Sequence, residues 1–156
     1  MQTKTKIVLL EQAIETIANW KDESIVFTNG CFDIIHLGHI DYLEKARNKG
    51  TKLIVGLNSD QSVKELKGEN RPINSQEARA RILAAMEFID LVVIFSEKTP
   101  LNLIIKLKPN VLVKGADYSI HDIVGAKEVI ANGGKVETID YLENYSTTNI
   151  INKIQQ

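Results

Sequence analysis

Cysteine is nearly absent from this sequence: Cys31 is the only one among 156 residues. That excludes an intrachain disulfide and a four-cysteine metal site. Net charge is equally scarce, with 19 Lys and Arg against 20 Asp and Glu. A protein that grips the nucleic-acid backbone needs a basic excess, and there is none. Aromatic residues make up only 6%, too few for the stacking platforms of a single-strand binder. No apolar run approaches the roughly 20 residues of a membrane span, and the polar start from Met1 to Lys6 leads into no secretory apolar core. These absences predict a cytoplasmic, soluble protein with small-molecule partners, no nucleic acid and no membrane. Repeats, low-complexity stretches and linkers are also missing, so residues 1–156 read as one domain, with residues 1–22 as an N-terminal helical extension. A hydrophobic content of 44% over that length is enough to bury a core.

The apolar residues alternate between two kinds of pattern. Leu9, Leu10, Ala13, Ile14 and Ile17 recur at helical spacing, predicting an amphipathic helix over 9–20. Short apolar runs at Ile25–Thr28, Lys52–Leu57, Leu91–Phe95, Val111–Val113 and Lys135–Ile139 predict five strands. Between them lie helical patterns over 37–49, 60–66, from the Asn74/Glu77 capping box to about Phe88, after Pro100, and over 123–131. A last helix is predicted over 147–154, capped by Ser146 or Thr147. Strands that are continuously apolar and alternate with helices predict an α/β fold: a Rossmann-like, five-stranded parallel sheet with helices on both faces.

Ligands of such sheets bind at the carboxyl ends of the strands, where the strand order reverses. The loops after the first and fourth predicted strands are the most polar in the chain and are expected to meet there. The first holds Thr28, Asn29, Gly30, Cys31, Phe32, Asp33, His36, Gly38 and His39; the second holds Lys114, Gly115, Asp117 and Tyr118. His36 and His39 are three apart at a helix start, on one side of it, beside unpaired first-turn amides. Two imidazoles and those amides suit phosphate oxygens, with Gly38 giving access to the backbone. The plainer reading makes one histidine a cap and the other a surface residue. A metal reading of Asp33, His36 and His39 lacks both a fourth ligand and the usual spacing, so no metal ligand is assigned.

The order of strand, glycine turn, Asp and then H-x-G-H, here T-N-G-C-F-D-I-I-H-L-G-H, resembles the H-x-G-H nucleotidylyltransferase superfamily. Ser146-Thr147-Thr148 at a late helix start and Val113-Lys114-Gly115 with Asp117 and Tyr118 match two further elements in the expected order. Lys67–Asn74, Gln76–Arg81 and Tyr145–Ile150 resemble in particular the adenylyltransferases that act on D-glycero-β-D-manno-heptose 1-phosphate. In many relatives that domain is fused to a sugar kinase; this chain resembles a stand-alone version. The likeness covers roughly residues 24–154. Asn149 departs from the cytidylyltransferase relatives, which tend to have lysine after S-T-T.

The resemblance implies a nucleotidyltransferase that takes ATP with magnesium and moves AMP onto the sugar phosphate, releasing pyrophosphate by direct in-line attack. Such chemistry asks for positioning and charge stabilisation. It implies His36 and His39 on the triphosphate and the Thr28–Asp33 turn on the nucleotide, with Asn29 and Gly30 taking up unusual dihedrals. Ser146, Thr147 and Thr148 fall to the β- and γ-phosphates, and magnesium to the phosphates and water. Arg79 is expected to reach phosphate as a bidentate donor, against the alternative of an exposed helix residue; Arg71 and Lys67 are either phosphate contacts from the loop or simply solvated. Lys114, ending a buried strand, is expected to face the ligand. Asp117 and Tyr118 face base, ribose or sugar, and Cys31 fills space. Two alternatives stay open: the same chemistry with another pair (CTP with glycerol 3-phosphate or an aminoalcohol phosphate, or ATP with a flavin or pantetheine phosphate), and a non-catalytic nucleotide-binding module. The resemblance also implies a homodimer, with Ile89 or Leu91 as candidate contacts if they are not core.

Overall fold

The computed structural model describes residues 2–156; Met1, the first residue of the expected extension, lies outside them. Six parallel strands form one sheet in the order β1-β4-β3-β2-β5-β6. These are β1 (Ile7–Val8), β2 (Ile25–Gly30), β3 (Lys52–Asn58), β4 (Leu91–Phe95), β5 (Val111–Gly115) and β6 (Lys135–Ile139). The five expected strands are all present, and β1 adds a sixth by pairing Ile7 with Val92 and Val8 with Val93. The N-terminal extension is thus not purely helical: a 3-10 turn (Thr3–Lys6), an edge strand and α1 (Leu10–Asn19) make it up.

Successive strand residues point to opposite faces, and both faces of this sheet are buried. Val26, Leu53, Val55, Val92, Val111 and Val113 pack on Tyr42, Leu43 and Ala46 of α2 (Leu37–Arg47) and on Ala80, Leu83 and Ala84 of α4 (Gln76–Ala84). Ile25, Phe27, Ile54, Val93 and Leu112 face Ala13 of α1, Leu103, Ile104 and Leu107 of α5 (Leu101–Leu107), and Ala126 and Val129 of α6 (Ala126–Ala131). Ile89 and Leu91, considered for a subunit contact, are 0% and 5% exposed and belong to this core.

Local details depart from expectation for identifiable reasons. Ser75, not Asn74, caps α4 by accepting from the Ala78 amide. Gly125 takes φ 84°, a left-handed conformation that ends any helix attempting to start at Ile123, so α6 begins only at Ala126. A short α3 (Asp60–Lys67) follows β3, and α7 (Thr147–Ile154) closes the chain behind its cap Ser146, whose hydroxyl accepts from the Asn149 amide.

Candidate active site

From β2 the chain moves through β3 and β4 to one side of the sheet, then returns to lay β5 and β6 on the other. The loops leaving β2 and β5 therefore diverge, opening a crevice between them. A cavity of about 680 Å³ lies there, within the roughly 300–1,000 Å³ of small-molecule sites. The structure brings Asn29, Gly30, Cys31, Phe32, Asp33, His36, Gly38 and His39 to its wall from the β2–α2 side. Lys114, Gly115, Asp117 and Tyr118 join from beyond β5, Lys67 from the end of α3, and Ser146, Thr147 and Thr148 from the start of α7. Two helix tips distant in sequence thus share one cavity.

His36 occupies the N-cap position of α2 but makes no side-chain capping bond. Its ring stacks on that of His39, with centroids 3.8 Å apart, and Phe32 meets His39 edge-on at 5.4 Å. Nδ1 of each histidine is buried with no hydrogen-bond partner among the described residues. Burial lowers the pKa of His36. Burial, then the neighbouring His36 and Lys67, push His39 down to about 4, with Asp33 opposing. Burial thus favours the neutral form of both rings, and each keeps an uncommitted nitrogen. Gly38 is required by packing more than by ligand access: a Cβ there would lie 3.1 Å from the His36 ring and 3.1 Å from Cβ of Tyr145.

Lys114 is the cation across the cavity. Its Nζ donates to Asn29 Oδ1 at 3.0 Å and sits 5.7 Å from the centre of the Tyr118 ring, with no carboxylate among the described residues in salt-bridge range. Burial lowers its pKa, partly offset by Cys31 and Asp117. A half-buried ammonium without a counter-ion is a place where an incoming anion is favoured. Gly115 is glycine because a Cβ would collide with the Tyr141 phenol. Tyr141 in turn stacks on Tyr42 at 5.9 Å, and Tyr42 shares a 2.8 Å hydrogen bond with the Thr28 hydroxyl.

Several expected ligands are engaged within the protein. Thr28 is fully buried on Tyr42 and does not line the cavity. Asn29 and Gly30 lie in the extended strand; the left-handed residues are Phe32 (φ 46°) and Ile34 (φ 50°), a conformation bulky and β-branched side chains rarely adopt. The Asp33 carboxylate accepts from the Ile73 amide (2.7 Å), the Asn74 amide (3.0 Å) and Arg71 Nε (3.0 Å). Burial alone would raise its pKa, but those amides and the guanidinium outweigh it and hold the carboxyl below its ordinary range. Arg71 is tied to Asp33 through Nε, its Nη2 is buried without a hydrogen-bond partner among the described residues, and it is absent from the cavity wall.

Arg79 also turns away from the cavity, against the expectation of a phosphate contact. It is 0% exposed, and its guanidinium is consumed by the Asn74, Cys31 and Asn58 carbonyls and the Asp60 carboxylate. The clue was its position: with Ala80, Leu83 and Ala84 it lies in the buried stripe of α4. Of the three α7 hydroxyls, Ser146 caps the helix and Thr147 donates to the Asp33 carbonyl at 2.8 Å, leaving Thr148 without a side-chain partner. Sequence reasoning passed over Tyr42, Asn58, Lys98, Asp122 and Tyr141, all on the cavity wall.

The donor set also limits how a metal could be held. Among the described residues, no group of three or more His, Cys, Asp and Glu is placed to bind an ion. Asp33 is occupied, which leaves Asp117 and Asp122 as the free cavity carboxylates. Such a set fits a magnesium ion carried in on phosphates with its waters rather than one held by the protein alone. No helix among the described residues is long and apolar enough to cross a membrane.

The family model described as cytidylyltransferase-like matches residues 27–153. The bifunctional protein HldE of Campylobacter fetus is 56% identical over 150 residues, covering 96% of this chain and 31% of that protein. The protein of the same name from Koribacter versatilis is 51% identical over 152 residues, again 96% of this chain and 31% of the relative. The chain thus spans about a third of the length of the curated relatives it matches. Among solved structures, the lipopolysaccharide core biosynthesis protein of Thermoplasma volcanium superposes with a TM-score of 0.61 at 25% identity, covering 80% of this chain and 99% of that one.

Proposed function

The chain belongs to the cytidylyltransferase-like family and is a nucleotidyltransferase; from that premise we propose that it transfers AMP from ATP to D-glycero-β-D-manno-heptose 1-phosphate. The products are ADP-heptose and pyrophosphate. A phosphate oxygen of the sugar attacks the α-phosphorus in line, forming the new P–O bond as the bond to the pyrophosphate oxygen breaks. The nucleophile is anionic at neutral pH, so no side chain takes a proton from it. Heptose is favoured by the resemblance of Lys67–Asn74, Gln76–Arg81 and Tyr145–Ile150 to adenylyltransferases acting on that sugar, and by the relatives named HldE. ATP enters as its magnesium complex, the ion neutralising phosphate charge.

One observation carries the reading: two histidines with unpartnered Nδ1 atoms and a lysine without a counter-ion among the described residues line the same cavity as the first turn of α7. Each is a group that an entering triphosphate would satisfy. His36 and His39 donate to the phosphate oxygens more strongly as charge builds on them. Lys114, the Thr148 hydroxyl and the free first-turn amides of α7 hold the phosphates. Work in the cytoplasm, and as a homodimer, belongs to the same proposal.

The test is a substrate panel with pyrophosphate release and product mass as readouts. Heptose 1-phosphate with MgATP is expected to turn over and yield ADP-heptose. Turnover only with another pair, such as CTP with glycerol 3-phosphate, would replace the heptose assignment. MgATP binding without turnover on any acceptor would make the chain a binding module.

A further inference from the structure

We propose that Arg79, which touches no ligand, is a positioning residue that holds the nucleotide loop in its strained, binding-competent shape. The inference rests on the nucleotide-site reading above but not on the heptose acceptor.

The loop between β2 and α2 is a conformation that needs holding. Phe32 and Ile34 both sit at left-handed φ, 46° and 50°, on either side of Asp33. Residues of these types avoid that region, and such strain persists only where the surroundings over-determine it. Two devices supply the restraint. Asp33 is fastened by its carboxylate to the 71–74 segment and by its carbonyl to Thr147. The step before the strained pair is fastened by Arg79, whose Nη1 donates to the Cys31 carbonyl at 2.7 Å and to the Asn58 carbonyl at 2.9 Å. Nε reaches the Asn74 carbonyl at 3.0 Å and Nη2 the Asp60 carboxylate at 2.8 Å. One planar fork therefore ties the nucleotide loop to the end of β3, the start of α3 and the segment that grips Asp33.

A role in stability alone does not account for arginine here. A fully buried charge whose single carboxylate partner is 38% exposed is a poor way to fill a core that an apolar side chain would fill at least as well. What only guanidinium provides is several donors in fixed relative directions. Lysine keeps the charge but cannot span three carbonyls and a carboxylate. If the loop relaxes, the His36 and His39 rings that follow it shift, and misplacement of about 1 Å is enough to cost about 100-fold in rate.

Arg79→Lys separates shape from charge. Its melting temperature, its MgATP dissociation constant by calorimetry and its kcat per folded molecule are compared with wild type well below melting. The expectation is MgATP binding about tenfold weaker and kcat about 100-fold lower, with the KM of the acceptor nearly unchanged. A lower melting temperature with wild-type binding and kcat would overturn the proposal and leave Arg79 a stability residue. If Arg79→Lys does not fold, Asp60→Asn decides, since Asp60 lies off the cavity wall and orients the guanidinium from its exposed end. A loss of about fivefold in kcat/KM for MgATP supports the proposal, and an unchanged value overturns it. Wild-type protein that fails to bind MgATP would sink the functional reading itself, a different result from equal binding by wild type and variant.

Discussion

The polar groups on the two sides of the Cys31–His36 segment are in opposite states. In front, on the cavity wall, are His36 and His39, whose Nδ1 atoms have no partner, and Lys114, which has no counter-ion, among the described residues. Behind, the Asp33 carboxylate accepts three hydrogen bonds and the Arg79 guanidinium donates four, although Nη2 of Arg71, whose Nε is on Asp33, is buried without a partner among the described residues. Buried polar groups are nearly always satisfied, so an enclosed set that is not satisfied marks where a ligand completes the structure. A fully satisfied set marks what the ligand site is built on. Partner inventory taken together with placement on the cavity wall separates site from scaffold: Arg71 Nη2 is unpartnered but lies off that wall.

The front is where the comparison is most easily broken. His36→Ala or His39→Ala is expected to lower kcat about 100- to 1,000-fold, the usual loss for a donor that stabilises transition-state charge, while the thermal midpoint stays close to wild type. Steady-state kinetics beside thermal melts checks both halves. Unchanged kcat would remove the histidines from the chemistry, and a large drop in melting temperature would move them to the scaffold.

Behind the loop the signs reverse. Asp33→Ala strands a buried guanidinium and two amides, and is expected to cost about 3 kcal/mol of stability, read as a shift in urea midpoint. Because the folded carboxyl titrates below its ordinary value, its stabilisation is complete above the unfolded pKa of about 3.9. It is lost as pH falls through the lower, folded value. Wild type should therefore lose stability through the acid range below about pH 4, and Asp33→Asn should flatten that limb. Identical acid limbs would mean that Asp33 is not the anchor the geometry describes.

How much of this division was legible in the chain differs by level. The parallel sheet was, because strands buried on both faces read as continuous apolar runs such as Ile25–Thr28 and Leu91–Phe95. The meeting of the two polar loops followed from connection rules. β1 was not legible, since Ile7-Val8 is too short to carry a period. The residues lining the front were recognisable because H-x-G-H and S-T-T are local patterns. The back was misread because partner inventory is a tertiary property. Nothing in the spacing of Asp33 and Arg71, 38 residues apart, says that one consumes the other. Arg79 was misread as well, as a phosphate contact or an exposed helix residue, although its place beside Ala80, Leu83 and Ala84 on α4 was a signal of burial that the sequence carried.

Lys114→Met sharpens the comparison at the middle of the scale. Removing a cation that burial already disfavours is expected to leave the melting temperature unchanged or raise it, while MgATP binds about tenfold more weakly, the ~1.4 kcal/mol of one good charged contact. Calorimetric titration against thermal melts distinguishes this from a lysine that supports the fold, whose loss would lower melting and leave affinity intact.

The smallest expected effects fall at the seam between the two regions, in two adjacent threonines that the chain presents as equivalent. A hydroxyl has one proton to donate, and that of Thr147 is given to the Asp33 carbonyl, so it is scaffold. Thr148 has no side-chain partner among the described residues and lines the cavity, so the proposed function assigns it to the site. Valine keeps the shape of threonine and removes only the hydroxyl. Thr147→Val is expected to cost about 1 kcal/mol of stability with MgATP affinity within about twofold of wild type. Thr148→Val should leave the urea midpoint in place and weaken MgATP about fivefold, roughly one neutral hydrogen bond to phosphate. Measuring both quantities on both variants gives a crossed result if the division is right. If Thr147→Val instead loses affinity and keeps its stability, the Asp33 carbonyl gives up its donor when ATP arrives, and the boundary between scaffold and site moves one residue toward Ser146.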